Sequence, residues 1–554
     1  MAKPSQAPVI VIGGSLVGLA SALFLSARNV PVILIERHTA SSPHPRAIGY
    51  TSRTLELLQT VGIPPSSLHV GKGPLGVRPR RVKVKSLAGD WTDEQHWNNA
   101  KPDGGTGAGG PPSHGGKVYA PIIGTAIAQD RLEPILRQRA ADLGADLRLG
   151  WKMTKWSQSP DGVSATAVNK QGEEMTVEGS HIIACDGARS VVRDELGIPT
   201  TGVGHLRSLC SIMFRCAPIE HYLDKGFVQF SIEGREDGLE AFLVSYPDGR
   251  WALMWNADAD TPQKMDARAQ KEFIRKAVGL GEDVLPDGDV ELVTIGYWEM
   301  SARIAERFSS GRVFLAGDAA HTLPPNRGGY GANTGFADAH NLAWKMAAVR
   351  EGTADPSILD TYDEERRPVA LVRHDQLFAR DDYKPYVRGA EWATTGREVK
   401  FIDDVAMELG QIYRSRGILG SEGAELPDAL RPDEWTGQPG TRAPHVALLR
   451  GEERISSLDL FGRGWVLLSR DGSWESVAKR AGGEAGVECE FVHVGGEVRE
   501  ADEKETFEDN FGVSESGAVL VRPDGFIAWR SVGKVDGFEA GFLEAFRRVA
   551  FATS

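Results

Sequence analysis

The sequence has few cysteines, no excess of basic residues and no long uninterrupted apolar segment. Its four cysteines form no CxxC pair and no Cys/His spacing typical of a metal site: Cys185, Cys210, Cys216 and Cys489. This usage excludes a small disulfide-stapled protein in a chain of 554 residues, gives no reason to expect a metal, and indicates a reducing, cytoplasmic setting. The net charge of −13 argues against a nucleic-acid partner, which a basic surface would bind.

The longest apolar stretch covers residues 9–27 and is close to the length of a membrane helix. Three glycines interrupt it: Gly13, Gly14 and Gly18. Its front is β-branched and its back is rich in Leu and Ala, which favours strand, turn and helix over an anchor or a leader peptide. We therefore expect neither a targeting segment nor a membrane partner.

The same stretch opens a predicted βαβ unit. A buried strand ends at Gly13, a helix follows, and "VPVILIER" forms a second strand that ends at Glu36 and Arg37. The turn between strand and helix approximates the GxGxxG fingerprint of dinucleotide-binding proteins, but Ser15 replaces its second glycine. Its residues are predicted to hold a pyrophosphate: Gly13, Ser15, Leu16, Val17 and Gly18.

Glu36 lies 23 positions after Gly13, where an acidic side chain accepts hydrogen bonds from the ribose hydroxyls of a dinucleotide. The alternative is a charge that only solubilises the end of a strand. The fingerprint alone fits either NAD or FAD.

Further along the chain, composition divides the sequence. Residues 103–116 are so rich in Gly and Pro that we expect a surface loop, either a lid or an insertion without function. Residues 211–299 alternate apolar and polar positions, with a hairpin turn at 247–249, which predicts an antiparallel sheet inserted in an α/β framework. After helical patterns that reach about Leu419, a polar stretch rich in Pro and Gly is the best candidate for a linker.

Four separately spaced motifs make the chain resemble the class A flavoprotein aromatic hydroxylases, the relatives of para-hydroxybenzoate and phenol hydroxylase. They are Gly317-Asp318 in "GRVFLAGDAAHTLPP", Asp186-Gly187 in "CDGARSVVR", Arg46 in "HPRAIGYTSRTLELL" and Gln129 in "IAQDRLEPIL". The resemblance runs from about residue 9 to residue 366. It implies FAD as cofactor and NADH or NADPH as electron donor.

The resemblance also implies roles for these motifs. Asp318 contacts the ribityl chain, Asp186 and Gly187 serve FAD and NAD(P)H binding, and Arg46 and Gln129 lie near the flavin. Each has a simpler alternative, since Asp318 could cap a helix, Asp186-Gly187 could be an ordinary turn and Arg46 could be a surface charge.

A glycine-rich loop at 328–335 precedes a long predicted helix. Successive backbone N–H groups there suit an electron-rich flavin edge, which makes Gly331, Ala332 and Asn333 candidate cofactor contacts, with Pro324 and Pro325 stiffening the loop. A β-branched residue at Gly331 should impair flavin binding, provided that the backbone there has a positive φ.

The implied activity is hydroxylation of a small phenolic or polycyclic, polyketide-like aromatic substrate. Enzymes of this family use NAD(P)H and O2 and act through a flavin C4a-hydroperoxide. The sequence assigns no catalytic base: His321 belongs to the flavin motif, where packing is the better interpretation. Baeyer–Villiger or epoxidising variants, and a silent flavin-binding scaffold or redox sensor, stay open as alternatives. A flavin halogenase is disfavoured because its WxWxIP signature is absent.

Aromatic residues on the predicted sheet are candidates for the substrate pocket: Tyr246, Trp255 and Trp298. They fit an apolar core equally well.

Beyond the linker the chain resembles the thioredoxin-like domain of phenol, polyketide and anthracycline hydroxylases. Where a working thioredoxin has CxxC, this chain has "DGSWESVA", so we expect a structural or dimer-contact role and allow for a homodimer.

The predicted fold is therefore α/β, a Rossmann-like FAD-binding domain with an inserted antiparallel-sheet substrate domain and a C-terminal thioredoxin-like domain. The expected boundaries are 1–80, 119–200 and 301–420 for the FAD-binding parts, the last with a helical region, 81–118 for a substrate-side loop region, 201–300 for the substrate sheet, 421–441 for the linker and 442–554 for the thioredoxin-like domain.

Overall fold

The structure, a computed structural model, describes residues 7–68, 80–95, 111–257, 265–325, 329–381, 383–387, 392–394, 399–423, 425–502 and 504–553. Its α-helices are α1 (Leu16–Ser26), α2 (Ser52–Thr60), α3 (Gln129–Asp142), α4 (Val191–Glu195), α5 (Ala267–Val278), α6 (Tyr330–Glu351), α7 (Thr361–Phe378), α8 (Asp404–Leu409), α9 (Pro432–Trp435), α10 (Trp474–Ala485), α11 (Phe507–Phe511) and α12 (Phe538–Val549). Within the described ranges, none of these helices has both the length and the apolar character needed to cross a bilayer.

The strands are β1 (Val9–Ile12), β2 (Val32–Glu36), β3 (Gly49–Tyr50), β4 (Arg80–Val84), β5 (Trp91–Gln95), β6 (Ser113–His114), β7 (Lys117–Val118), β8 (Thr125–Ala126), β9 (Asp146–Leu149), β10 (Trp151–Gln158), β11 (Val163–Asn169), β12 (Glu174–Gly179), β13 (His181–Ala184), β14 (Thr200–Arg215), β15 (Phe227–Ile232), β16 (Ala241–Ser245), β17 (Arg250–Asn256), β18 (Glu291–Ala305), β19 (Ser309–Ser310), β20 (Val313–Leu315), β21 (His321–Thr322), β22 (Ala447–Arg450), β23 (Glu453–Ser456), β24 (Trp465–Ser469), β25 (Cys489–His493), β26 (Arg499–Glu500), β27 (Ala518–Val521) and β28 (Ile527–Ser531).

The first sheet has the order β19-β20-β13-β1-β2-β9, and β1 lies parallel to both β13 and β2. All four residues of β1 are buried, as expected of a central strand covered on both faces. Helix α1 connects β1 to β2, so the predicted βαβ unit is confirmed. The carboxyl ends of β1, β2 and β13 meet at one edge of the sheet, where ligands bind in open α/β folds.

The second sheet has the order β21-β18-β14-β17-β16-β15-β4-β5. Its neighbours are antiparallel apart from β15 and β4, so residues 80–84 join the sheet that the sequence placed within 201–300. The predicted hairpin joins β16 to β17, where Gly249 N donates to Tyr246 O at 3.1 Å. One face of the sheet, including Ile212 and Leu253, packs in the same core as α5; the other face, including Ser211 and Met254, turns towards the first sheet.

The C-terminal unit is built on a four-stranded sheet of order β25-β24-β27-β28, with β24 and β25 parallel and the other neighbours antiparallel. Trp474 of α10 is fully buried and packs edge-on against Phe542 of α12. Burial raises the pKa of the Cys489 thiol to about 12, which leaves it protonated and poorly reactive at neutral pH.

Helix α2 begins at Ser52, and its N-cap is Thr51, whose side chain accepts a hydrogen bond from Thr54 N. One local prediction changes in the structure. The predicted linker at 421–441 is packed rather than free. Trp435 is buried and donates its Nε1 hydrogen to Gly410 O at 2.7 Å. Most of the predicted Gly/Pro loop, 103–110, lies outside the described residues.

Candidate active site

A cavity of about 2,190 Å³ lies between the two large sheets. Nearly all of the candidate residues line it: Gly13, Ser15, Leu16, Val17, Glu36, Arg37, Arg46, Gln129, Asp186, Gly187, Tyr246, Trp255, Trp298, Asp318, Pro324, Gly331, Ala332 and Asn333. Gly18 and Gly317 do not line it but lie directly behind the wall. Residues from widely separated parts of the sequence therefore meet around one space.

The glycine turn is as close-packed as its motif requires. Gly13 has φ +101°, and a Cβ there would collide with the carbonyl oxygen of Cys185. A Cβ on Gly18 would collide in turn with the carbonyl oxygen of Gly13. These two glycines let β1, α1 and the end of β13 approach one another and leave the N-terminus of α1 facing the cavity.

Glu36 is held at the end of β2 by backbone donors. Its Oε2 accepts from Gly14 N at 2.6 Å, and its Oε1 accepts from His38 N at 2.7 Å. The carboxylate is therefore fixed beside the glycine turn, with part of its surface facing the cavity. The neighbouring Arg37 is exposed and donates to the ring of His38 at 3.0 Å.

Ser15, which departs from the fingerprint, is part of a polar cluster at the N-terminus of α1. Its hydroxyl donates to Glu133 Oε1 at 2.7 Å and accepts from Gln129 Nε2 at 2.9 Å. The Gln129 amide oxygen accepts from the backbone N–H groups of Arg46 and Ala47, each at 3.3 Å. The sequence analysis missed Glu133, although it lies one helical turn after Gln129 on the same face of α3.

Asp186 follows β13 and is incompletely satisfied by the protein. Its Oδ2 accepts from Val192 N at 3.2 Å, whereas its buried Oδ1 has no hydrogen-bond partner among the described residues. Gly187 beside it has φ +91° and open space where a side chain would point. A buried carboxylate oxygen without a donor at a cavity wall suits a ligand that carries hydroxyl or N–H groups.

Asp318 faces the same cavity. Its side chain is exposed to the cavity, yet desolvation by the surrounding cavity walls raises the pKa of the carboxyl group, and His321 and Arg46 oppose that rise. Gly317 has φ +58°, and a Cβ there would lie 2.8 Å from the side chain of Val17. The Gly-Asp pair therefore fits tightly against α1 and directs the carboxyl group into the space that follows the glycine turn.

His321 does not line the cavity. Its Nε2 shares a 2.6 Å hydrogen bond with Asp338 Oδ2, and both side chains are fully buried. Asp338 also accepts from Gly317 N at 3.3 Å and from Arg366 Nε at 2.8 Å. The geometry favours the packing interpretation of His321. Asp338 and Arg366, which the sequence did not single out, brace the Gly317 turn from behind.

Helix α6 points its first turn at the cavity. Gly329, with φ +57°, precedes Tyr330, and the N–H groups of Gly331 and Ala332 lie in the turn that has no intrahelical acceptors. Gly331 itself does not have a positive φ, and its nearest neighbour to a Cβ is Leu323 O at 3.6 Å. The predicted need for glycine on conformational grounds therefore applies to Gly329, not to Gly331; residue 328 lies outside the described range.

The side chain of Asn333 is occupied by the protein. Its Oδ1 accepts from Thr54 Oγ1 at 2.6 Å and from Thr51 N at 3.1 Å, and its Nδ2 donates to Gly329 O at 2.8 Å. Asn333 thus fastens α6 to α2 and shapes the cavity wall. Only its backbone is left to serve a ligand there.

The far part of the cavity has an aromatic wall. Trp298 and Leu209 are register partners on β18 and β14, and they share an apolar cluster with Tyr383 and Tyr386. The Tyr383 hydroxyl donates to Pro325 O at 2.6 Å, which ties this wall to the loop that carries Pro324. The sequence analysis missed both tyrosines because they follow α7, more than 80 residues after Trp298 in the chain.

The three predicted pocket aromatics divide between the two faces of the sheet. Tyr246 lies on the cavity side, in the cluster of Met213 and Val244. Trp255 belongs to the other side, where its ring lies 4.5 Å from that of Phe273 on α5. Strand alternation sends Trp255 into this core, so it borders the cavity without forming its floor.

His44 was also missed. Its Nε2 and the Oγ of fully buried Ser211 share a 2.6 Å hydrogen bond, which joins the Arg46 segment to the floor of the second sheet. Burial lowers the pKa of His44, and the nearby Arg46 lowers it further, so the imidazole is neutral at pH 7.

The residues fit FAD. A tight glycine turn at a helix N-terminus accommodates a pyrophosphate, and Glu36 suits ribose hydroxyls. The Asp186 oxygen that has no partner among the described residues can accept a hydrogen bond from the cofactor. At the other end, the first turn of α6 presents N–H groups and a positive dipole to an electron-rich ring. The cavity then continues to the aromatic wall, which leaves room for a second, apolar molecule.

Two family profiles match the chain: the FAD binding domain family over residues 6–375 and the aromatic-ring hydroxylase C-terminal family over residues 436–551. Among characterised relatives, 4-methyl-5-nitrocatechol 5-monooxygenase of Burkholderia sp is 38% identical, covering 98% of this chain and 97% of the relative. Tetracenomycin A2 monooxygenase-dioxygenase of Streptomyces glaucescens is 34% identical, covering 99% and 98%.

Solved structures match over almost the whole length. A complex of aklavinone-11 hydroxylase with FAD and aklavinone superimposes with a TM-score of 0.82 at 30% identity, covering 98% of this chain and 99% of the other. The flavin-dependent monooxygenase PieE, solved with FAD and substrate, gives a TM-score of 0.83 at 27% identity, covering 99% of both chains.

Proposed function

Because this chain belongs to the FAD-dependent aromatic-ring hydroxylases and is a monooxygenase with FAD as its cofactor, we propose that its central cavity holds FAD against a phenolic or polycyclic aromatic substrate. The observation that carries the proposal is the continuity of the cavity. It runs from the glycine turn and Glu36 to the aromatic wall at Trp298 without a break.

We assign the dinucleotide end to residues of the first sheet. The N-terminus of α1, beyond Gly13, would hold the pyrophosphate, and Glu36 would accept hydrogen bonds from the adenosine ribose. Arg46 would neutralise phosphate charge, and the hydrogen bonds that the backbone N–H groups of Arg46 and Ala47 donate to Gln129 support it in that position.

We assign the ring end to the Asp186-Gly187 and Gly317-Asp318 motifs and to the first turn of α6. Asp186 and Asp318 would accept hydrogen bonds from hydroxyl groups of the cofactor, which would relieve the unpartnered Asp186 oxygen. The N–H groups of Gly331 and Ala332 would stabilise negative charge on the ring system, helped by the positive end of α6. Pro324 would hold the adjacent loop rigid.

Bound FAD supplies the oxygen chemistry, taking electrons from NADH or NADPH and delivering one atom of O2 to the substrate ring. The protein excludes water and orients the ring. Trp298 and Leu209 form an apolar surface for this purpose, and Tyr383 joins that surface to the Pro324 loop. His44 and Ser211, which are neutral and share a hydrogen bond at the floor of the cavity, would exchange a proton with the substrate.

We also propose that the enzyme works in the cytoplasm and associates as a homodimer. All four cysteines lie among the described residues and are free thiols, which supports a reducing compartment. A C-terminal unit without CxxC supports a contact role over a redox role. Sedimentation velocity on the purified holoenzyme tests the dimer.

The experiment that tests the activity uses purified holoenzyme, a panel of phenols and catechols, each nicotinamide cofactor and 18O2. We expect a yellow protein whose NAD(P)H oxidation accelerates with a suitable phenol, and a product that carries one labelled oxygen as a ring hydroxyl. Label inserted beside a carbonyl would show Baeyer–Villiger oxygenation instead of hydroxylation, and label in an epoxide would show epoxidation. A yellow protein that turns over none of these compounds would refute the proposal.

A further inference from the structure

The side chain of Arg207 places its guanidinium against the aromatic wall of the cavity. It shares a face of β14 with Leu209 and Ser211, and its guanidinium lies 5.8 Å from the ring centre of Tyr386. The side chain is therefore placed where an aromatic substrate would lie, well away from the glycine turn that receives the pyrophosphate.

The charge of Arg207 has no acidic partner in the part of the chain that the structure describes. Among the residues that the structure describes, its one side-chain hydrogen bond is a long contact of 3.5 Å from Nη1 to Asn256 Oδ1. Its Nε is buried and has no hydrogen-bond acceptor within the described ranges. A buried guanidinium donor without an acceptor is unfavourable, so this position is stabilised when a ligand brings an oxygen acceptor.

Two other arginines of the cavity have acidic partners. Arg189 is 83% exposed and pairs with Glu299 at 3.0 Å, and Arg80 pairs with Glu94 at 2.7 Å. Arg373 and Arg137 also have a buried Nε without an acceptor among the described residues, but Arg373 donates to Met407 O and Arg137 donates to Ser41 Oγ, each at 3.2 Å. Arg207 is half-buried, and it differs from these arginines in lying beside the aromatic wall with neither an acidic partner nor a short hydrogen bond among the described residues.

We propose that Arg207 selects aromatic substrates that carry an anionic oxygen, either an ionised ring hydroxyl or a ring carboxylate. The inference rests on the proposed function and adds the substrate's charge to it. A planar guanidinium pairs with such oxygens through directed N–H donors, and the apolar surroundings strengthen that pairing. An ionised hydroxyl also enriches the ring in electrons, which suits electrophilic oxygen transfer.

The relative that acts on 4-methyl-5-nitrocatechol gives this proposal a chemical precedent. A nitro group lowers the pKa of a ring hydroxyl, so a nitrocatechol is partly ionised near neutral pH. A cation at the wall of the pocket favours that ionised form over the neutral one.

The test compares the binding of 4-nitrocatechol, 2,3-dihydroxybenzoate and catechol to the holoenzyme and to the Arg207→Gln variant. We expect Arg207→Gln to weaken binding of at least one acidic ligand by about tenfold to a hundredfold, the range for a hydrogen bond to a charged group, and to leave catechol within about threefold. The acidic ligand that loses affinity identifies the anionic group that Arg207 binds.

A second readout separates recognition from packing. The visible absorption of bound 4-nitrocatechol reports its ionisation, so the pKa of the bound ligand can be titrated directly. We expect wild type to lower that pKa, Arg207→Lys to keep part of the effect, and Arg207→Gln to lose it. The exposed Arg189→Gln serves as a matched control and should behave as wild type.

Equal loss of all three ligands in Arg207→Gln, or no loss of any, would overturn the inference, and so would Arg189→Gln acting like Arg207→Gln. If Arg207→Gln does not fold, the Arg207→Lys titration decides the matter. Tight binding and turnover of catechol with no preference for acidic ligands would sink this inference alone. A wild-type enzyme that binds none of the three and hydroxylates no phenol would overturn the proposed function together with it.

Discussion

Arg522 of the C-terminal unit binds both carboxylate oxygens of Glu365 on α7, at 2.6 and 2.9 Å, with both side chains about 1% exposed. The same carboxylate accepts from Lys345 Nζ of α6 at 2.8 Å. The next residue after Glu365, Arg366, binds the Asp338 that braces the Gly317 turn. Buried polar contacts from the C-terminal unit and from the Gly317 turn therefore meet at two consecutive residues of α7, Glu365 and Arg366.

Replacement of Arg522 by Met should be strongly destabilising, because it leaves the buried carboxylates Glu365 and Asp524 without their main cation. We expect a loss of about 3–5 kcal/mol in the free energy of unfolding, measured by urea denaturation. Arg416→Met is the matched control. Its guanidinium pairs with Glu364 at 3.0 Å but is 52% exposed, so the cost should stay within about 1 kcal/mol. Equal losses in the two variants would contradict the assigned role of burial.

The same glycine-to-alanine change should act in opposite directions in two helices. In Gly18→Ala the new methyl group meets the Gly13 carbonyl, so the turn must open, and we expect FAD affinity to fall by roughly tenfold or more for about 1–3 kcal/mol of strain. In Gly483→Ala on α10 the methyl group enters open space, and the helix should gain about 0.5–1 kcal/mol. Fluorescence titration of deflavinated protein with FAD and thermal unfolding measure the two effects.

Replacement of Glu36 by Gln should weaken FAD binding without changing the chemistry. The variant removes a charged acceptor, worth about 1.5–3 kcal/mol per hydrogen bond, which corresponds to roughly tenfold to a hundredfold in Kd. At saturating FAD, kcat should return to the wild-type value. Glu174→Gln, at an exposed position of β12, is the control and should leave the Kd unchanged. A fall in kcat that excess FAD does not restore would show that Glu36 acts elsewhere.

Acid should destabilise the fold through buried neutral histidines. Burial lowers the pKa of His340 from its usual 6.5 to about 3, and it lowers those of His181 and His445 to about 4. Between the folded and unfolded values only the unfolded chain binds the proton, so stability is complete above pH 6.5 and falls as the pH drops towards 3.

For His340 this linkage amounts to a loss of about 2 kcal/mol between pH 7 and pH 5, from about 1.4 kcal/mol per pH unit once the unfolded chain is protonated. His340→Gln should remove that share of the pH dependence, whatever its effect at pH 7. Urea denaturation of both proteins at the two pH values measures the difference. Parallel stability curves would refute the assignment.

The parts of the site that follow from local sequence were predictable. The glycine turn, Glu36 at the end of β2 and the Gly317-Asp318 turn depend on residues that are neighbours in the chain, and close packing restricts their types. Ser15 looked like a defect in the motif. Its place is explained only by Gln129 and Glu133, more than 110 residues away.

The substrate side was harder because register and distant contacts decide it. Trp255 was a reasonable candidate by type, but pairing of Cys210 with Trp255 and of Ser211 with Met254 directs Trp255 to the α5 face and Met254 to the cavity. Arg207, Tyr383 and Tyr386 converge from β14 and the end of α7. The local sequence of neither segment predicts that these three side chains lie close together.

Phe526 of the C-terminal unit stacks on Tyr413 at 4.0 Å, and the hydroxyl of Tyr413 accepts from Arg366 at 2.8 Å. Removal of the C-terminal unit would therefore expose the ring of Tyr413 and leave Lys345 and Glu365 at a new surface. It would also loosen the Gly317 turn behind the proposed flavin site. The C-terminal unit thus supports the cavity wall from behind, and the length of the chain beyond the cavity contributes to the stability of the part that forms it.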